Sequence, residues 1–176
     1  MRAVDRLNDV IGRAVSWLTL ALVLVTFASV VLRYGFSLGW IWLQESYIWL
    51  HGIVFMLGAG YTLLHGGHVR VDLIYRGAGL RYKAWVDLCG VLLLLLPMII
   101  VLAWFSWSYV IDSWIYLEGS PTTGGLPGLF LLKTVLLVFC ALVGLQGLAL
   151  AGRSLLALRG RGGASTVTPD DGARSR

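Results

Sequence analysis

The stretch Leu63-Leu64-His65-Gly66-Gly67-His68-Val69-Arg70-Val71-Asp72-Leu73-Ile74-Tyr75 decides how the chain is read, because a long apolar run stops there and a dense polar cluster begins. It reads as a helix leaving a membrane. Gly66 and Gly67 suit the end of that helix, since a residue just past a helix C-terminus often takes the left-handed conformation that glycine alone adopts without strain. Beyond them His68, Arg70 and Asp72 alternate with Val69, Val71 and Leu73. That alternation fits a segment at a surface, with one wet side and one apolar side.

Composition sets the class. Of 176 residues, 58% are hydrophobic and only 13% charged, and the mean hydropathy is +0.81, far from the balance of a soluble domain. The chain is therefore expected to be an all-α integral membrane protein. Its net charge of +5 does not point to nucleic acid, because the basic residues lie between and after apolar runs and form no single recognition element. Cys89 and Cys140 fall inside apolar runs and read as small buried hydrophobes, with neither a disulfide nor a metal site implied. No cofactor is expected.

Working outward, four spans are predicted, at about residues 14–32, 45–64, 84–111 and 129–151. Residues 1–13 form a short amphipathic lead carrying Arg2, Arg6 and Arg13 against Asp5 and Asp9. A cleaved signal peptide fits less well, because the first apolar run is long and Arg33-Tyr34-Gly35-Phe36 follows where small residues would be expected. Between the first two spans, residues 37–44 turn aromatic, with Trp40 and Trp42 placed to rest at headgroup level. In the second span Gly52 and Gly60 lie eight residues apart and so near one face, where another helix can approach closely.

The third apolar helix runs from about residue 80 to 116, roughly 55 Å at about 1.5 Å per residue, so it must tilt, bend or protrude. Pro97 is the expected bend. Trp104, Trp107, Tyr109 and Trp114 gather near its far end, and a turn-rich loop follows at residues 118–125. Pro127 is expected near the first turn of the fourth span, which carries Lys133 about a turn inside, able to snorkel to water. Gly144, Gly147 and Ala151 offer a close-packing stripe there, and Gln146 an interhelical hydrogen bond of about 1 kcal/mol. Residues 156–176 read as a disordered tail.

Charge sets orientation. The lead, the loop at residues 66–83 and the chain from Arg153 onward hold three, four and five of the basic residues, whereas Arg33 and Lys133 alone flank the other side. Both termini are therefore expected in the cytoplasm, with residues 118–125 outside.

The runs Arg33-Tyr34-Gly35-Phe36, Trp42-Leu43-Gln44-Glu45 and Gly58-Ala59-Gly60-Tyr61-Thr62-Leu63, followed by His68-Val69-Arg70-Val71-Asp72, resemble the small membrane subunit of tripartite ATP-independent periplasmic (TRAP) transporters, the DctQ-like family. Gly124-Gly125-Leu126-Pro127, Lys133 and Leu145-Gln146-Gly147 are similar to it as well. The likeness covers about residues 14–155, and it departs from the family at Gln44, where many relatives carry a second acid beside Glu45. It implies a bacterial inner-membrane subunit that braces a large TRAP permease subunit during sodium-coupled uptake of an organic acid or similar small solute. A periplasmic solute-binding protein would deliver that solute, in contact with residues 118–125.

Each polar residue also has a plain physical expectation. Glu45, at a helix start, complements the positive end of the dipole and can pair with Arg33. Arg70 and Asp72 fix their loop, Arg76 can meet Asp72, and membrane lipids are a further partner for the basic loop. His51 is expected to hydrogen-bond a neighbouring helix. Two other function classes compare poorly. A haem-binding electron-transfer bundle needs axial ligands from facing helices, yet His51, His65 and His68 belong to one helix or its exit. A self-sufficient proton-coupled exporter needs a carboxylate deep in the membrane, and Glu45 lies at an edge. No catalytic residues are expected.

Overall fold

The computed structural model describes residues 2–67 and 79–159. His68, Arg70, Asp72 and Arg76, and most of the tail, lie outside the described residues. Among the described residues four helices carry the fold: α1 (Arg2–Gly35), α2 (Ile41–Leu64), α3 in three consecutive pieces (Leu80–Cys89, Gly90–Leu95, Leu96–Ile115) and α4 (Leu129–Leu158). All four are long and apolar enough to cross a membrane, and no strand occurs among the described residues. The protein is an all-α, multi-pass membrane protein.

One end of the bundle carries Arg2 and Arg159, and the other carries the connections at residues 36–40 and 116–128; they are called the terminal end and the loop end below. The lead is no separate piece, because α1 is continuous from Arg2. Its first turns are docked by Asp5 and Asn8, which bond to side chains of α4.

The second helix ends as its glycines dictate. Gly66 is left-handed (φ 65°), the Gly67 N–H reaches the Thr62 carbonyl at 2.9 Å and the Gly66 N–H reaches that of Leu63 at 3.4 Å. These two bonds close the last turn and satisfy carbonyls that the helix itself leaves free. At the start of α2 the aromatic segment is split: Ile41 to Gln44 form the helix's first turn, and only residues 36–40 are non-helical.

Within α3 the irregularity begins ahead of Pro97. Gly90–Leu95 is a π-helical stretch, in which the Leu96 N–H donates to the carbonyl of Val91, five residues back. Pro97 has no N–H to give and its ring crowds the carbonyl four residues earlier, so the ladder widens by one residue just before it.

The fourth helix is the hub. It packs against α1, α2 and α3, while α1 also packs along α2. Small residues make these approaches possible. A Cβ on Gly147 would lie 2.6 Å from Leu95 Cδ2, and one on Gly144 would lie 3.5 Å from Ile99 Cγ2. Leu88, Val91 and Ala151 form one buried apolar cluster, and Ile99, Cys140 and Val143 form another that Ala59 and Leu63 of α2 complete. Cys140 is buried as expected, but Cys89 is exposed.

Candidate functional site

Polar side chains collect at the two ends of the bundle. At the loop end, Glu45, just after the first turn of α2, holds the loop that joins α3 to α4. Its Oε1 accepts hydrogen bonds from Ser120 Oγ and, at 2.6 Å, from Thr122 Oγ1, and its Oε2 accepts the backbone N–H of Leu126 at 2.6 Å. The loop closes on itself beneath this carboxylate through Ser120 N–H to Leu126 O (3.2 Å) and Gly125 N–H to Thr122 O (3.0 Å), with Gly124 left-handed. Gly125 has to be small: a Cβ there would lie 2.5 and 2.6 Å from the two Glu45 oxygens.

Glu118 makes a second tie. Its Oε2 accepts from Ser113 Oγ at 2.7 Å and from Lys133 Nζ, and Lys133 Nζ also sits 3.9 Å from the centre of the Tyr109 ring. Lys133 hydrogen bonding, followed by that of Ser113, holds the Glu118 carboxyl below its ordinary value. Its position depends on an unusual residue. Leu117 takes a left-handed φ of 45°, so that the Glu118 N–H bonds to Ser113 O (3.0 Å) and closes α3 as Gly66 closes α2. Trp114 adds a hydrogen bond from Nε1 to Thr134 Oγ1 (2.9 Å) and an edge-on contact with Phe130 (4.6 Å between centres).

At the terminal end the groups are buried. Gln146 is 0% exposed and Asn8 1%. Asn8 Nδ2 donates to Gln146 Oε1 at 2.9 Å, Gln146 Nε2 donates to Asp5 Oδ1 at 3.1 Å, and Arg153 Nη1 donates to both Asp5 oxygens at 2.9 and 3.0 Å. Asn8 Oδ1 accepts no hydrogen bond and lies against Gly60.

Several expectations change here. Among the described residues no ion pair joins Arg33 to Glu45; Arg33 is exposed, and the Glu45 oxygens take their hydrogen bonds from the loop instead. Lys133 does not snorkel, its side chain being 11% exposed, because Glu118 and the Tyr109 ring take its ammonium. His51 is exposed and stacks on Phe55 one turn away on its own helix, 6.4 Å between centres. Gly60 faces Asn8 and Leu142, and Gly52 faces Leu132, so both glycines serve contacts within this chain. Pro127 precedes α4, with left-handed Gly128 (φ 93°) between them. Trp42 is exposed and stacks with Trp40, 6.3 Å between centres.

Among the described residues, no three His, Cys, Asp or Glu side chains gather as a metal-binding set. Asn8, Asp5, Arg153, Ser113 and Gly125 were not singled out as site residues by sequence reasoning. Asn8 and Asp5 lie in the charged lead beside Arg6 and Asp9, so nothing local marked them as buried partners of α4.

Comparison with protein families gives a match to tripartite ATP-independent periplasmic transporters, DctQ component, over residues 22–157. The chain belongs to the DctQ family. It is thus a small membrane component of a TRAP transporter, and the matched region runs from mid α1 almost to the end of α4. Comparisons with curated proteins and with solved structures give no match. Within this DctQ-family chain the matched segment holds every loop-end residue described above, as well as Gln146 and Arg153. Asp5 and Asn8 lie before it.

Proposed function

We propose that this DctQ-family chain braces the large permease subunit of its transporter during sodium-coupled uptake of an organic acid or similar small solute, which a periplasmic binding protein delivers. The observation that carries this reading is the absence of charge from the membrane interior. Residues 14–32, 46–64, 88–111 and 134–152 contain no Asp, Glu, Lys or Arg. A chain that itself moved an anion with a coupled cation would need polar partners for both along the path. Here the ionised groups sit at the two ends.

The terminal end is assigned to the cytoplasm, because most of the basic residues lie there. The loop held by Glu45 and Glu118 then faces the periplasm of a bacterial inner membrane. Being tied at two carboxylates, it presents a fixed surface on which a binding protein can rest without an ordering cost.

The test is reconstitution in vesicles with a sodium gradient. Uptake is expected only when this chain, the large subunit and the binding protein are all present. Undiminished uptake without this chain, or uptake by this chain alone, would overturn the reading.

A further inference from the structure

Between α1 and α2 lies an open groove of about 530 Å³, lined by Gly12, Ser16 and Thr19 on one side and by Val54, Gly58 and Thr62 on the other, with Phe139 of α4 contributing. Three of its hydroxyl groups are spent on backbone carbonyls of their own helices. Ser16 Oγ donates to Gly12 O (2.9 Å), Thr19 Oγ1 to Val15 O (3.3 Å) and Thr62 Oγ1 to Gly58 O (3.0 Å). The rest of the lining is mainly apolar side chain and glycine, which hydrocarbon fits and a polar segment does not. Packed helices stand about 8–10 Å apart, and a further helix is about 10–12 Å wide. A helix would lie across such a groove, whereas an acyl chain enters it.

The end of the groove nearest the N-terminus is closed by Tyr61, whose Cβ would lie 2.6 Å from a Cβ on Gly12. Over Tyr61 sits the His65 ring, 4.1 Å between centres. Beside it are Asp9 and Arg13, paired at 2.9 Å, with His65 Nε2 3.9 Å from Asp9. The Arg13 side chain is 76% exposed and that of His65 49%. Arg2 and Arg6 are also exposed and fall on the same face of α1 as Arg13, being eleven and seven residues before it. Asp5 is turned inward to Arg153, so along this face Asp9 alone offsets three arginines. Trp17, one turn beyond Arg13, is exposed on the same side, at the depth where an indole ring favours the boundary between headgroups and chains.

We propose that this groove holds one acyl chain of an anionic phospholipid, whose headgroup is met by Arg13 and Arg6. The inference rests on α1 and α2 crossing the bilayer and not on the bracing role. It holds for whichever leaflet meets Arg13.

The test is native mass spectrometry of the full chain, purified in mild detergent and offered equal amounts of phosphatidylglycerol and phosphatidylcholine. Wild type is expected to retain one phosphatidylglycerol in preference, and R6Q/R13Q to lose that preference by about fivefold per arginine. Gly58→Leu, which places a side chain in the groove, is expected to reduce retention of both lipids at unchanged helical content. Should that variant fail to fold, Val54→Trp fills the same space from the next turn of α2. Equal retention of the two lipids by wild type, or wild-type retention by a folded groove-filling variant, would overturn the proposal. So would photo-crosslinking from position 58 in native membranes that reaches polypeptide and not lipid.

Discussion

The two ends of the bundle solve the same problem, fastening one part of the chain to another, with opposite materials. At the terminal end Asn8 and Gln146 are amides sealed between α1 and α4, and Asp5 and Arg153 flank them. At the loop end the fasteners are two carboxylates near water, gripping hydroxyls, a backbone N–H and an ammonium. Buried groups gain strength from a low dielectric but leave a costly orphan when one member goes. Exposed ones are individually weak, and shape their loop by number and geometry. The first arrangement therefore governs whether the helices assemble, and the second what surface they present.

The largest effect should follow from Gly60→Leu. The new side chain meets Asn8 and Leu142, and a forced fit of this kind costs about 3 kcal/mol. A thermal or detergent-induced unfolding curve measures it, and a wild-type midpoint would show that the terminal end is not the tight joint described here. Gly125→Ala should come next, because its methyl displaces the Glu45 carboxylate. Its effect should be confined: faster amide exchange across residues 118–126 with unchanged protection near Gln146. Equal loss at both ends would erase the distinction between them.

Gln146→Leu should cost only about 1 kcal/mol, since Asn8 Nδ2 keeps its bond to Val4 O and Asp5 keeps Arg153. An unfolding midpoint unchanged from wild type would mean that the buried amides do not hold α1. The smallest effect is a dependence on pH. Glu118 has its carboxyl lowered in the folded state, first by Lys133 and then by Ser113. Its contribution is then complete above the unfolded value and is lost as pH falls through the folded one. Trp114, beside this tie, should report loosening by fluorescence below the ordinary carboxylate range, and Glu118→Gln should remove that step.

Much of the scaffold was legible because membrane helices are written in composition. Runs of twenty apolar residues, the glycines after Leu64 and the small stripe at Gly144, Gly147 and Ala151 each follow from local physics. What was not legible depends on which helix lies beside which. Glu45 offered a plausible partner in Arg33, and nothing in the sequence indicates that Ser120 and Thr122 arrive above it from some 75 residues away. The two helix endings make the point on a smaller scale. Gly66 announces a left-handed residue, whereas Leu117 adopts one against its own preference, held by the turn that places Glu118. Lys133 was misplaced for the same reason, since snorkelling is the default only where no acid waits nearby.

The account turns on this chain being a brace for a larger membrane subunit, and mild-detergent purification of the tagged full-length protein from native membranes tests that most directly. We expect one large, many-helix membrane polypeptide to copurify in equal amount, and to be lost when the bundle is broken by Gly60→Leu. Recovery of this chain by itself, folded and with no such companion, would contradict it.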